Sequence, residues 1–397
     1  MGNKKAANNS LVKPPPPARM AAVRLLDRYL LRELLVPLGY CLCGFLVFYV
    51  AFDLIFQIGR FQDNGLLAMD IVEYYVVTLP ELLVEQVLPV SLLLALLYAM
   101  TNHSRYNELT AMRAAGVGLW RLALPYLVVG AVFGGVVLAI SELWLPLAGD
   151  RAKFIMERRL AQPGQRDLTP RLILNNESAR RKWILEHFNT LTKEVIQPSI
   201  TWDLPDGSSR KIDAQRGVYR DGQWVFFGAN VWERPVKVPV YLPTWPTNGA
   251  TNAVLTVPFP ETPAWIKSEI KVKNLTATDA AKGLRLSIRE ILDYRRLHAQ
   301  IDPDKQAMLA TQLQGNLAAP FTCLVVVLIA LPFGMRTGRR NVFVGVAASI
   351  FICFGYFILQ RITFGLGVGR SLSPVLAAWL PNIVSGGTAL VLLARQR

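Results

Sequence analysis

Apolar residues in this chain are gathered into long blocks rather than spaced at the periods of a soluble core. Six blocks approach or exceed the roughly 20 residues needed to cross a bilayer: 34–58, 74–100, 122–147, 312–334, 342–363 and 374–394. They fall as three, a long polar gap, and three. The first, which includes "LLVPLGYCLCGFLVFYVAF", is longer than a signal-peptide core and has no small-x-small cleavage site after it, so it reads as a retained span. Before it, "NKKAANNS" and "KPPPPA" read as a disordered tail.

Within the gap the pattern shortens to alternating runs. "GVYRDGQWVFFGANVWE" places an Asp-Gly turn between two such runs, and "PSITWDLPDGSSRKIDAQ" does the same around Asp206-Gly207. Short strands punctuated by Pro and Gly predict a sandwich or jellyroll, not a βαβ fold. Farther on, "LSIREILDYRRLHAQ" returns to helical spacing, with Ser287 and Glu290 placed as a capping box and Ile288, Ile291 and Leu292 as an apolar stripe. The predicted fold is an α-helical integral membrane protein of six transmembrane helices, with an all-β, jellyroll-like domain inserted between helices 3 and 4. Its parts are an N-terminal tail and interfacial helix (1–33), helices 1–3 (34–147), the β-domain (148–285), a connecting helix (286–311) and helices 4–6 (312–397).

Composition bears on this picture mainly through where the charge lies. The net charge of +15 would suit an anionic partner if it were concentrated on one soluble face. Instead seven Lys/Arg precede the first block, three lie in 104–122, three in 336–340 and two at the C-terminus, while the opposite short loops hold only Arg60 and Arg370. Fifteen against two puts both termini in the cytoplasm, and no nucleic-acid partner is implied. The gap is thereby sent to the far side, and its 25 Lys/Arg do not contradict this, because long domains translocate largely regardless of charge. All four cysteines lie in apolar blocks, leaving no disulfide or Cys-based zinc site in the β-region.

Candidate chemistry is sparse. His103, His187 and His298 form no HExxH or carboxylate–His spacing, so no metal or other cofactor is expected. "GLGVGRS" at 365–371 lacks the spacing of a phosphate loop and reads as an external turn, so the chain brings no ATP site of its own and is not an enzyme. Asp53, Glu81, Glu85 and Arg361 are ionisable groups in or beside spans, where charge is costly and points inward to protein or cavity. Glu81 and Glu85 share a face of the second span, which Pro80 and Pro89 bend; the two carboxylates either line a substrate path or reach the external interface and pair with Arg. Arg60, Arg361 and Arg370, at external span ends, suit phosphorylated head groups and equally suit snorkelling. "GAVFG" at 130–134 lets another helix come close, within the chain or from a second copy.

The segment "SRYNELTAMRAAGVGLWRL" falls on the cytoplasmic side by the charge count. Good helix formers run from Asn107 to Ala115 and stop at Gly116, a natural C-cap. Glu108, Met112 and Ala115 share one face, with Arg105 and Arg113 nearby. It is either a basic anchor at the membrane surface or a docking helix for a cytoplasmic partner, with Glu108 pairing with a basic residue and Met112 filling a pocket.

Together, "NELTAMRAAG" after "LPVSLLLALLYAM", the entry "RYLLRELLVPL", "LAAPFTCLVVVLIALPFGMRTGRR" and "LSPVLAAWLPN" resemble the lipopolysaccharide-export permeases of the LptF/LptG type. The likeness covers both three-span halves and the helix before the fourth span; the β-region resembles the family in length and strand character. It implies a bacterial inner-membrane permease subunit with a periplasmic jellyroll, paired with a paralogous permease around a cavity for lipopolysaccharide or a related glycolipid. A cytoplasmic ATPase dimer would drive it, and periplasmic β-jellyroll bridge proteins would receive the lipid. The resemblance makes 104–116 the coupling helix, with Glu108 its acidic residue and Arg105, Met112 and Arg113 beside it, and places Arg60 and Arg361 near substrate phosphates. A permease for another lipid-linked or lipoprotein substrate is the alternative.

Overall fold

The computed structural model describes residues 19–158, 169, 171–189, 192–236, 240–245, 253–274, 286–298, 300–334 and 342–395. The expected tail (1–18) and the basic loop around 336–340 lie outside these. Helix α1 runs unbroken over Arg19–Asp63, so the expected interfacial helix and first span are one 45-residue element. At 1.5 Å per residue it is about 68 Å long, roughly twice a bilayer's hydrocarbon core.

The expected second span is divided. Helix α2 (Ala68–Leu82) passes through a π-helical turn, Leu83–Val87, into α3 (Leu88–Arg105). Pro89 has no N–H for the carbonyl four residues back, and the widened turn sits where that bond is missing. A short helix α4 (Glu108–Ala114) precedes α5 (Leu119–Leu143). The residues after it continue as α6 (Leu145–Glu157), so the start of the expected β-domain is helical.

Among the described residues, nine strands follow between Leu172 and Val257: β1 (Leu172–Asn176), β2 (Arg181–Phe188), β3 (Val195–Asp203), β4 (Ser209–Asp213), β5 (Arg216–Arg220), β6 (Gln223–Phe227), β7 (Asn230–Arg234), β8 (Leu242–Trp245) and β9 (Val254–Val257). Every pairing among them is antiparallel. The nine-residue β3 pairs with β2 along one edge, while its other edge is shared by β4 and β5, which lead to separate arms, β4–β7–β8 and β5–β6–β9. Two arms leaving one strand curl the sheet. The Asp221-Gly222 turn is the expected two-residue hairpin, both residues left-handed between Arg220 and Gln223. The Asp206-Gly207 loop is longer, closing between Asp203 and Ser209, with only Gly207 left-handed. There the Ser208 N–H and hydroxyl both donate to Asp206, holding its carboxyl below the usual range.

Alternation along the strands puts Trp183, Leu185, Ile200, Ile212, Trp224 and Phe226 on one buried face, covered by Trp265, Ile266 and Ile270 of helix α7 (Pro263–Asn274). Glu261, fully buried, accepts from Arg181 at 2.6 Å and Asn176 at 2.6 Å, and the Arg181 guanidinium lies 4.1 Å from the Phe259 ring centroid.

The expected capping box forms at α8 (Ile288–Leu297): Ser287 accepts from the Glu290 N–H and Glu290 accepts from the Ser287 N–H. Helix α9 begins at Pro303 and runs to Gly334, absorbing the last part of the expected connector; α10 (Val342–Val368) and α11 (Pro374–Ala394) complete the chain. Among the described residues, five helices are long and apolar enough to cross a membrane: α1, α5, α9, α10 and α11. Neither α2 nor α3 meets that measure alone.

Helix α9 is the centre, packing against α3, α5, α10 and α11. The GAVFG stretch faces it. A Cβ on Gly134 would lie 2.4 Å from the Pro320 carbonyl oxygen, and one on Gly130 would lie 3.3 Å from that of Cys323. These glycines therefore serve a contact within the chain. Gly367, expected in an external turn, is buried at the end of α10, where a Cβ would meet Ala377 at 2.5 Å and Thr311 at 2.8 Å.

Candidate functional site

Helix α4 is bounded by two left-handed residues, Asn107 (φ 56°) and Gly116 (φ 82°). At its end the Gly116 N–H donates to Arg113 and the Val117 N–H to Met112, the paired bonds that Gly permits at a helix terminus. Leu109 is buried in the bundle core and Met112 packs against it, so the expected pocket-filling Met faces its own protein. Thr110, Ala111, Arg113 and Ala114 are exposed, as is Arg105 at the end of α3.

Glu108 is held by residues of two other helices. The Tyr29 hydroxyl of α1 donates to its Oε2 at 2.9 Å, and His103 Nδ1 of α3 lies 2.7 Å from the same oxygen. His103 is fully buried, whereas the Glu108 side chain is 32% exposed. One carboxylate thus ties three helices. The sequence marks neither partner: Tyr29 is 79 residues away, and His103 precedes Glu108 across a left-handed turn rather than along a helix face.

The substrate candidates are scattered. Arg60 ends α1 and Arg361 lies within α10, and both are exposed. Arg370, left-handed in the α10–α11 turn, pairs with Asp304 at the start of α9 at 3.1 Å. Glu81 is partly buried in α2; for Glu85, in the π turn, the backbone alone is described. Asp53 emerges instead as an organised intramembrane carboxylate, accepting from Gln57 at 2.6 Å and from the Tyr75 hydroxyl at 3.0 Å. The periodicity of α1 already marks Asp53 and Gln57 as one turn apart, but Tyr75 enters only by tertiary packing. Nearby, Asp70 and Glu73 of α2 clamp Arg158, just after α6, at 3.2 and 2.9 Å.

A second unforeseen cluster joins the β-domain to the bundle. Glu269 of α7 accepts from Lys305 of α9 at 2.6 Å and from the Tyr294 hydroxyl of α8 at 2.7 Å, and lies 3.3 Å from His298 Nε2. Burial opposes the charge on Glu269, but the nearby His298 ring and the hydrogen bonds from Lys305 and Tyr294 outweigh it and bring its pKa to about 2. From the other side, Glu142 of α5 accepts from the first N–H of α8 at 2.8 Å. No group of three or more His, Cys, Asp or Glu among the described residues is arranged to hold a metal.

Several long apolar helices, many with outward apolar faces, carrying an antiparallel sheet domain between α6 and α7, define a multi-pass membrane protein. The chain matches the family described as lipopolysaccharide export system permease LptF/LptG over residues 28–395. It belongs to that family. No curated protein matches it.

Proposed function

We propose that this chain is the permease subunit of an ATP-driven inner-membrane transporter that extracts lipopolysaccharide and passes it through its sheet domain toward the outer membrane. The observation that carries this reading is family membership across nearly the whole chain. In it, α2 and α3 together make one crossing, giving six, with both termini cytoplasmic and the jellyroll-like sheet domain periplasmic. The charge count of the short loops supports that orientation.

ATP is hydrolysed by a separate cytoplasmic dimer, which docks on α4. The exposed Arg105 and Arg113 and the partly exposed Glu108 supply the contact, and Met112 ties the helix to the bundle. A paralogous permease completes the cavity. The outward apolar residues of α1 and α10, such as Phe48, Phe52, Phe351 and Phe354, support a surface facing lipid or another span. Arg60, Arg361 and Arg370 meet substrate phosphates as the cavity closes, with Glu81 and Glu85 along the path. The sheet then passes lipid to periplasmic bridge proteins by strand addition at an open edge.

Co-purification tests the coupling step. Wild-type chain is expected to retain a nucleotide-hydrolysing partner, and Glu108→Lys to lose it; undiminished retention by the variant would remove Glu108 from the contact. Crosslinkers placed beside Arg60 or Arg361 are expected to trap lipopolysaccharide during turnover.

A further inference from the structure

The orientation of Glu108 carries more than a docking contact. Its Oε2 is shared by the fully buried His103 and by Tyr29, which is itself at the surface, and the Glu108 side chain is 32% exposed, so a donor from outside can also reach the carboxylate. A carboxylate so placed can join a partner to two membrane helices. The surrounding structure suits such a link. Helix α4 is seven residues long and has a left-handed residue at each end, so it can pivot as a unit. Its inner side is fixed to the bundle by the buried Leu109 and by Met112, contacts that are apolar and without direction. The Glu108 bonds are the directional ones.

His103 has no exposed side-chain surface, and its Nε2 has no hydrogen-bond partner among the described residues. A carboxylate oxygen accepts, so the hydrogen of the 2.7 Å contact lies on Nδ1. Nδ1–H therefore donates to the charged carboxylate, a bond stronger than one between neutral groups. The Tyr29 and His103 rings, with centroids 5.7 Å apart, hold the two donors side by side.

We propose that His103 and Tyr29 are positioning residues: together they lock Glu108 so that a displacement of α4 by the ATPase is delivered to α3 and α1 rather than absorbed at Asn107 and Gly116. This rests on the reading of α4 as the ATPase docking helix.

The test uses the full chain with its partner permease and ATPase in proteoliposomes containing lipopolysaccharide, and reads lipid released per ATP hydrolysed. A folding defect removes assembled complex and lowers both quantities together; a broken lock lowers their ratio. His103→Leu is expected to lower the ratio about tenfold, the equivalent of one lost hydrogen bond to a charged group. Tyr29→Phe should lower it about threefold, since the histidine donor remains. His103→Asn, whose amide replaces the Nδ1 donor, should restore the ratio to within about twofold of wild type. Unchanged ratios in His103→Leu and Tyr29→Phe would overturn the lock, as would His103→Asn behaving like His103→Leu. A wild-type chain that retains no ATPase overturns the docking reading and the lock with it, whereas a coupled wild type beside an equally coupled His103→Leu overturns the lock alone. Should His103→Leu fail to assemble, Tyr29→Phe and His103→Asn decide the matter.

Discussion

Helices α1 and α9 have nearly the same hydropathy, but 11% of the most apolar window of α1 is buried inside the protein against 61% for α9. The difference lies in what each side chain meets. Helix α9 is surrounded: Gly134 of α5 admits its Pro320 carbonyl, Tyr356 of α10 bonds its Thr322 at 2.9 Å, and Asn382 of α11 donates to its Ala318 carbonyl at 3.1 Å. Helix α1 buries Leu30, Leu34 and Leu38 in the bundle core and packs there against α3, but farther along it sends Val47, Phe48, Phe52, Ile55 and Phe56 outward, with polar ties at Asp27 to Arg121, Tyr29 to Glu108 and Asp53 to Tyr75. In lipid, apolarity alone does not bring helices together, so small residues and hydrogen bonds decide which helix is central. The central helix is packed among its neighbours, whereas the 47–56 stretch of α1 presents an apolar face to its surroundings.

The most severe way to break this contrast is at the α5–α9 seam. Gly134→Ile should cost about 3 kcal/mol, because its Cβ has no space beside Pro320, whereas Gly135→Ile, with nothing within 4 Å, should leave stability within about 0.5 kcal/mol. Thermal unfolding in detergent distinguishes them, and equal effects would dissolve the seam as an explanation.

Next is the anchor of α9 in the β-domain junction. The Glu269 pKa lies at about 2, below its ordinary 4.5, so the cluster's contribution is complete above pH 4.5 and is lost as pH falls toward 2. Over that window wild type should lose about 2 kcal/mol more than Glu269→Gln does, as read by pH-dependent melting.

Tyr356→Phe, which takes the shared hydroxyl from Thr322 and Asn382, should cost about 1 kcal/mol. The smallest effect belongs to α1: Phe52→Ala should change the stability of the isolated chain by less than about 0.5 kcal/mol, since Phe52 meets the surroundings rather than the core. A clear loss of pairing with the second permease in the same variant, scored by co-purification, would assign that face to a partner rather than to lipid.

How much of this was legible beforehand depends on the range of the interaction. The α8 capping box, the Asp221-Gly222 hairpin and the Gly116 stop are set by neighbours within a few residues, and all three formed as read. Where a local pattern admitted two solutions, the packing chose. The second span holds a π turn beside its prolines, and residues 145–157 extended as helix instead of beginning the sheet. GAVFG turned inward to α9, and Gly367 became a packing position.

Taken alone, then, the sequence determined the apolar blocks, the charge asymmetry between loops, the strand periodicity and the family, because each is a property of the chain's own order and needs no partner in space. Which span lies at the centre, and which donors beyond Gln57 face Glu108, Asp53 and Glu269, was decided by tertiary structure alone. Those donors come from 5 and 79 residues away for Glu108, from 22 for Asp53, and from 25 and 36 for Glu269, and only the packed helices bring them to one oxygen or one carboxylate.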